Sequence, residues 1–217
     1  MAALDLEEQE QLAQIKAWWQ RYGNLVLTAL TLVFLAIAGY NGWNYYQQSQ
    51  ARAATQVFEG VQKLAAGGDA KKVAEASKAL AEQYPRSTLA AMGNLMAARI
   101  SFDANDLDGA RTQLQWVVDN ARDDELKHIA RIRLAGILLD QKKFDDALKL
   151  LDTSHPADFD AQYGDRRGDV LYAMGKQAEA RDAWQKALAA AGSAATLKAA
   201  LEFKLEMVGA APAVTKS

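Results

Sequence analysis

The segment GDVLYAMGKQAEARDAWQKAL, residues 168–188, contains two helical patterns joined by a turn. Gly175 is placed to end the first helix, because glycine adopts a positive φ without steric strain. Gly168, Ala180 and Ala187 are small and let two antiparallel helices approach closely. Leu171 and Trp184 are large and fill the space between the helices. The segment therefore predicts a helical hairpin.

The same pattern occurs twice more upstream. Gly168 corresponds to Ala135, 33 residues earlier, and Ala135 corresponds to Ala98, a further 37 residues earlier. The middle copy has its matching positions at Ala135, Leu138, Phe144, Ala147 and Leu151. The first of the three copies has them at Ala98, Leu107, Ala110, Leu114 and Val117. Tandem units of roughly 34 residues indicate stacked helical hairpins, and the alternative is an ordinary helical bundle.

A degenerate hairpin precedes these three units, and a single helix follows them. The first apolar stripe of the degenerate hairpin ends before Gly67 and consists of Ala54, Val57, Phe58, Val61 and Leu64. The second stripe stops at Pro85, which cannot continue a helix, and consists of Ala76, Leu80 and Tyr84. The last helix can cover the final hairpin, as a terminal cap must, with Leu197, Leu201, Leu205 and Val208.

The small and large positions of these units resemble the tetratricopeptide repeat. The usual Trp and Leu early in the first helix of that repeat are replaced in the last unit by Gly164 and Arg167, which leaves the closeness of packing at that end open. The resemblance implies an all-α fold, a tetratricopeptide-repeat-like α-solenoid of about three and a half hairpins plus a capping helix. One N-terminal transmembrane helix is expected to precede the solenoid.

The evidence for a transmembrane helix is a long uncharged segment near the N-terminus. No charged residue occurs between Arg21 and Arg52. Residues 22–43 form roughly 33 Å of helix, enough to cross a hydrocarbon layer of roughly 30 Å. Thr28 and Thr31 can bond back to the helix backbone and are tolerated in lipid. Aromatic residues that favour the membrane interface bracket the segment: Trp18, Trp19, Tyr22, Tyr40, Trp43, Tyr45 and Tyr46.

Two alternatives to a retained anchor stay open, a cleaved signal peptide and a buried core helix. Residues 36–38 followed by Gly39 resemble a cleavage site, but the long acidic start is unlike the short positive start of a signal peptide. Lys16 and Arg21 lie close to the N-terminal edge of the segment, which favours a cytoplasmic N-terminus. We therefore predict a cytoplasmic segment (1–21), a span (22–43), a periplasmic repeat domain in a bacterial inner membrane (44–208) and a flexible tail (209–217).

Composition and motifs argue against several function classes. The chain has no cysteine and a net charge of −2 without a basic block, so we expect neither thiolate metal sites nor nucleic-acid binding. His128 and His155 share no ligand spacing, and we expect both to be solvated surface residues. Acidic pairs at helix starts suit the helix dipole. Phosphate-binding loops and nucleophile motifs are absent, so we predict a protein that is not an enzyme and needs no cofactor.

The expected binding surface is the concave face of the solenoid, which the first helix of each hairpin lines. The repeat register places twelve residues there: Met92, Leu95, Arg99, Phe102, Ile129, Ile132, Gly136, Leu139, Gln162, Asp165, Asp169 and Tyr172. The apolar members suit core positions between repeats equally well. A face of this mixed character suits an extended or helical peptide. It lacks the Lys and Asn set with which some tetratricopeptide repeats bind a C-terminal carboxylate, so that mode is disfavoured.

The whole chain also resembles a narrower family. The parts that carry this resemblance are KAWWQRYGN (16–24), EQYPRS (82–87) and LEFKLEMV (201–208). They are similar to the YfgM-type inner-membrane proteins of Gram-negative bacteria. The resemblance implies an ancillary subunit of the SecYEG translocon that acts with a membrane-anchored, PpiD-type periplasmic chaperone on exported or unfolded polypeptides.

Two other functions remain open at this stage. One is a membrane-anchored scaffold for another envelope assembly, which shares every physical feature and differs only in its partner. The other is a stress-response regulator that acts through the cytoplasmic end, since the resemblance also links the family with such control. Residues 5–19 are suited to that role, although a plain amphipathic flanking helix explains them as well.

Overall fold

The computed structural model describes residues 6–210, which form nine α-helices and one 3-10 turn without a strand. The bounds are α1 Leu6–Ala66, α2 Ala70–Gln83, α3 Thr88–Asp103, α4 Leu107–Asn120, α5 Asp124–Asp140, α6 Phe144–Leu151, the 3-10 turn Ala157–Phe159, α7 Asp160–Ala173, α8 Gln177–Ala190 and α9 Ala195–Ala210. The all-α prediction is confirmed. Residues 1–5 and 211–217, which include most of the predicted tail, lie outside the described residues, whereas Gly209 and Ala210 belong to α9.

Contacts divide the chain into two units, Met1–Arg52 and Ala53–Ser217. The first unit contains the apolar part of α1, which is long and apolar enough to cross a membrane. Its large apolar side chains are exposed, Leu25 and Phe34 by 68% each, so the alternative of a buried core helix is wrong. The predicted backbone bonds are present, with Thr28 Oγ1 donating to Asn24 O at 2.7 Å and Thr31 Oγ1 donating to Leu27 O at 2.8 Å.

The second unit is a stack of helical hairpins. Each helix from α2 to α8 contacts the next one in the chain, and α5 also contacts both α3 and α7. The contacts between α3, α5 and α7 are those expected when the first helices of successive hairpins stack side by side. The end of α1 joins this unit through Ala54, Phe58 and Val61, which share a buried cluster with Val73 and Leu80 of α2.

The three hairpin turns have the same backbone structure. In each turn, the residue two positions before the second helix begins adopts a positive φ: Asn105 at 61°, Lys142 at 59° and Gly175 at 78°. In each turn the next amide bonds a carbonyl five residues back, as in Lys176 N to Leu171 O at 3.0 Å. This bond closes the helix end. The repeat recognised in the sequence is therefore also a repeat of turn geometry.

The last hairpin, α7 with α8, packs as the sequence predicts. Leu171 and Trp184 are buried, and a Cβ atom on Gly168 would overlap the indole ring of Trp184. Trp184 Nε1 donates to Asp165 O at 3.2 Å. The sequence left open how closely α7 and α8 pack near the start of α7. They pack closely there, because a Cβ added to Gly164 would lie only 3.0 Å from Cβ of Ala187. Without the family's large residues, the two helices approach closely at this end.

Acidic residues begin several helices, as expected. The side chain of Asp69 accepts a hydrogen bond from Lys72 N at 3.1 Å, and this bond lowers the pKa of that exposed carboxyl below its usual value. Asp106 and Asp123 accept bonds from the first turns of α4 and α5. Helices α6 and α8 begin after Lys143 and Lys176 and have no side-chain cap. The acidic pairs of the sequence lie at helix starts: Asp123 and Asp124 begin α5, and Asp145 and Asp146 lie in the first turn of α6, where the helix dipole favours negative charge.

Candidate functional site

The surface lined by α3, α5 and α7, here called the inner face, contains a cleft of about 320 Å³. We name it the arginine cleft, because three of the residues that line it are arginines. Its lining consists of Ala98, Arg99, Phe102, Leu114, Arg133, Gly136, Ile137, Asp140 and Arg166. The cleft combines apolar walls with guanidinium groups from three successive hairpins.

Arg166 forms one side of the cleft by reaching across from α7 to α5. Its guanidinium carbon would lie 3.3 Å from a Cβ atom on Gly136, so the glycine lets the guanidinium pack closely against α5. Its Nη1 donates to Asp169 Oδ2 at 3.2 Å. The Nε atom is buried and has no hydrogen-bond partner. A buried donor without a partner is unfavourable by roughly 1–3 kcal/mol, so Arg166 keeps one unsatisfied donor behind the surface of the cleft.

The other two arginines are exposed. Arg99 Nε donates to both carboxylate oxygens of Asp103, at 3.0 and 2.8 Å, and the Arg99 side chain is 73% exposed. An exposed pair on one helix contributes only about 0.3–0.5 kcal/mol, so Arg99 can exchange Asp103 for another anion at little cost. Within residues 6–210, Arg133 forms no ion pair or hydrogen bond.

The repeat register explains how the cleft is assembled. Arg133 and Arg166 occupy the same position in successive hairpins, 33 residues apart. The sequence analysis did not assign either residue a binding role. The same register aligns Phe102, Leu139 and Tyr172. The recurrence of arginine at one repeat position, Arg133 and Arg166, was the sequence feature that could have indicated a binding role for both residues.

The residues predicted to line the binding face fall into three groups. Met92, Arg99, Phe102, Gln162 and Tyr172 are exposed. A second group is partly buried and consists of Ile129, Ile132, Gly136, Leu139, Asp165 and Asp169. Leu95 is only 8% exposed and belongs to the core between α3, α4 and α5. A binding role for any of them stays a prediction, and Leu95 can contribute only by shaping the wall.

Asp165 and Asp169 are engaged by the chain itself. Lys204 of α9 donates to Oδ1 of Asp165 and to Oδ1 of Asp169, each at 2.6 Å, and its Nζ lies 5.8 Å from the ring centre of Trp184. Burial raises the pKa of Asp169 above its usual value, and the nearby Asp165 charge adds to the rise, while the bond from Lys204 opposes it. The predicted acidic part of the face is therefore covered by the closing helix.

The two histidines form a cluster that sequence reasoning missed. His128 is 6% exposed, so its prediction as a solvated surface residue is wrong. Its Nδ1 lies 2.8 Å from the hydroxyl of Tyr163, and His155 stacks on the Tyr163 ring at 4.1 Å between centroids. Burial lowers the pKa of His128 and raises that of Tyr163. Within the described part of the chain, no group of three His, Asp or Glu side chains is placed to hold a metal ion.

Stacked hairpins with these turns and this inner face define a tetratricopeptide-repeat-like protein. The sequence profile of the tetratricopeptide repeat-like domain family matches residues 16–210 and so includes the apolar helix.

Relatives from three bacteria are similar over most of their length, and each is named an ancillary SecYEG translocon subunit. The protein from Neisseria gonorrhoeae is 38% identical over 193 residues, covering 86% of this chain and 90% of that protein. The Escherichia coli protein is 30% identical over 178 residues, 82% and 85% of the two chains. The Haemophilus influenzae protein is 25% identical over 189 residues, 85% and 90%. The chain belongs to the family of ancillary SecYEG translocon subunits. No solved structure matches it.

Proposed function

We propose that this chain is a membrane-anchored, protein-binding subunit of the SecYEG translocon. In this proposal residues 22–43 span the inner membrane, residues 1–21 are cytoplasmic, and the repeat domain of residues 44–208 is periplasmic. There it handles newly exported polypeptides together with a PpiD-type chaperone. The observation that carries the proposal is the joining of an exposed apolar helix and a stack of hairpins with an open inner face in one chain of this family.

The physical advantage of this arrangement is confinement. A short tether raises the effective concentration of a binding site towards roughly the millimolar range. Weak contacts at the inner face then hold a chain that emerges nearby, and they release it without a large energetic barrier. High intrinsic affinity is not required, which suits a site that must accept many different sequences.

The central test is site-specific photo-crosslinking in living cells. A photoreactive residue replaces Phe102 or Tyr172 on the inner face, or Gln185 on α8 as a control that is exposed elsewhere on the repeat domain. We expect adducts with translocon subunits or exported chains from the first two positions and few from Gln185. Adducts only with unrelated envelope proteins would assign the chain to another envelope assembly and reject the proposal.

The orientation has a separate test. Because the chain has no cysteine, single cysteines at Glu10 and at Ser193 report on one side of the membrane each. A maleimide reagent that does not cross the inner membrane should label Ser193→Cys in spheroplasts and spare Glu10→Cys until the cells are lysed. The reverse pattern would place the repeat domain in the cytoplasm.

The proposed association with a chaperone is tested by purifying the full-length, tagged chain in a mild detergent. We expect SecYEG and a membrane-anchored prolyl-isomerase-type chaperone to copurify with it. Retention of SecYEG alone would remove the chaperone from the proposal. Retention of neither would contradict both assignments.

A further inference from the structure

We propose that the arginine cleft binds extended polypeptide segments in which an acidic side chain lies next to an apolar one. This inference rests on the proposed function and names the class of segment that the inner face selects. Nothing in the family name or in the repeat pattern specifies a charge preference. The preference follows from the side chains that α3, α5 and α7 place around one opening.

Charge is the first argument. The lining has three arginines and one carboxylate, that of Asp140. Arg133 has no partner within the described residues, and Arg166 keeps a buried Nε without an acceptor. Arg99 is held only by an exposed pair within its own helix. A carboxylate entering the cleft therefore meets the free guanidinium of Arg133 and the easily redirected one of Arg99, while Arg166 remains paired with Asp169. Planar guanidinium groups suit carboxylates because they can donate two parallel bonds.

The apolar walls are the second argument. Phe102 is 42% exposed and stands beside Arg99 on α3, while Ala98, Leu114 and Ile137 line the same opening. The last three side chains are nearly buried, so the apolar surface open to a ligand is mainly the Phe102 ring. A free inorganic anion would use the arginines and leave that ring uncovered, whereas a peptide with a neighbouring leucine or phenylalanine covers both. The cleft volume of about 320 Å³ is at the lower end of the range of roughly 300–1,000 Å³ for ligand pockets, which suits a few side chains rather than a folded domain.

The surroundings of the cleft limit the choice further. Towards α7, Asp165 and Asp169 are paired with Lys204 of the closing helix, and Asp169 also with Arg166, so the acidic residues that would repel an anionic segment already have cationic partners. The whole chain has a net charge of −2, and the arginines are a local feature rather than part of a basic surface. Polyanions such as nucleic acid need a series of phosphate contacts, which this single opening does not provide.

The experiment measures peptide binding to the purified full-length chain in lipid nanodiscs. Three fluorescent peptides share one extended sequence in which leucine alternates with glutamate, glutamine or lysine. We expect the glutamate peptide to bind about tenfold more tightly than the glutamine peptide, since a hydrogen bond to a charged acceptor is stronger than one to a neutral acceptor. The lysine peptide should bind most weakly. The preference for glutamate should shrink as salt is raised.

Substitutions at Arg133 and Arg181 test whether the arginine cleft is the source of the preference for glutamate. Arg133→Glu should reduce affinity for the glutamate peptide about tenfold or more and raise affinity for the lysine peptide. Arg133→Gln should show an intermediate loss and provides a second variant with a milder change. Arg181→Glu introduces the same charge change at an exposed position on α8 and should leave all three affinities unchanged. Circular dichroism checks that each variant keeps its helix content.

The outcomes separate this inference from the proposed function. If the three peptides bind equally and Phe102→Ala weakens all of them, the charge preference is wrong while peptide binding at the inner face stands. If Arg181→Glu has the same effect as Arg133→Glu, general electrostatics explains the preference, and the cleft assignment is wrong. If no peptide binds and Phe102 also gives no crosslinks in cells, both the inference and the proposed function fail.

Discussion

Lys204 and Asp169 form an ion pair, Nζ to Oδ1 at 2.6 Å, between the last helix of the described chain and the first helix of the last hairpin. Lys204 makes an equal contact with Asp165. Both carboxylates are 17% exposed and the lysine side chain is 23% exposed. One cation therefore holds two carboxylates of α7 that would repel each other in its absence.

Lys204→Met should destabilise the repeat domain by about 1–3 kcal/mol, because it leaves the partly buried Asp165 carboxylate without a cation and Asp169 with only the contact from Arg166 Nη1. Lys186→Met is the matched control, since Lys186 pairs with Asp182 at 2.7 Å but both side chains are exposed, by 76% and 62%. That change should have an effect below about 0.5 kcal/mol. Urea titration of the full-length protein in detergent, followed by circular dichroism, measures both. Equal effects would show that the α9 contact contributes no more than a surface pair.

Gly168→Ala tests the closest approach in the last hairpin. The added methyl group would overlap the Trp184 ring, so the indole must move and its bond to Asp165 O is lost. We expect a loss of about 1–3 kcal/mol, the usual result of inserting volume into a packed core. Gly60→Ala is the control, because an added Cβ meets nothing within 4 Å there. In a helix that change should stabilise by about 0.5–1 kcal/mol. A destabilising Gly60→Ala would mean that α1 is packed differently.

The fold could be predicted because its determinants are local and repeated. Small and large residues recur at one register, and Gly175 marks a turn whose geometry the structure repeats at Asn105 and Lys142. The unbroken α1 was less evident, since the sequence was divided into a span and a first repeat helix. Between these parts no proline interrupts the helix, which ends at Ala66 before the pair Gly67 and Gly68.

The site was less predictable because it depends on contacts between distant residues. Lys204 lies 39 residues from Asp165, and nothing in the repeat register relates α9 to α7. His128 and Tyr163 are 35 residues apart, and a lone histidine near a helix start gives no sign of burial. Predicting the arginine cleft from the sequence would have required two observations, the shared repeat position of Arg133 and Arg166 and the absence of a side chain at Gly136. The glycine matters only because the hairpin of α5 and α6 packs against the hairpin of α7 and α8, which brings Arg166 next to Gly136.

The shared turn conformation predicts a graded response at Gly175. Gly175→Val should cost about 1–2 kcal/mol, because a β-branched residue is strained at a positive φ. Gly175→Asn should cost less than half as much, since asparagine tolerates this conformation and occupies the matching turn at position 105. Urea titration of the two variants beside the parent chain measures the difference. Equal costs for valine and asparagine would indicate that side-chain contacts, rather than backbone strain, decide this position.

The burial of His128 predicts a specific loss of stability in mild acid. Burial is the main cause of its lowered pKa, the charges of Arg131 and His155 add to it, and Asp124 opposes it. Because the folded pKa lies below the unfolded value of 6.5, the unfolded chain takes up a proton first as pH falls. The free energy of unfolding should therefore decrease as pH drops below about 6.5, until the folded-state pKa is passed.

The measurement is a set of urea titrations across this pH range for the parent chain, His128→Gln and His155→Gln. His128→Gln should remove this part of the slope, although the loss of packing against Tyr163 lowers stability at every pH. His155→Gln should keep most of the slope, because burial of His128, the largest cause of the shift, remains. Parallel pH profiles for the parent and His128→Gln would show that another group titrates. If His155→Gln reduced the pH dependence of stability as much as His128→Gln does, the effect would come from repulsion between the His128 and His155 rings, whose centroids lie 6.5 Å apart, and not from burial of His128.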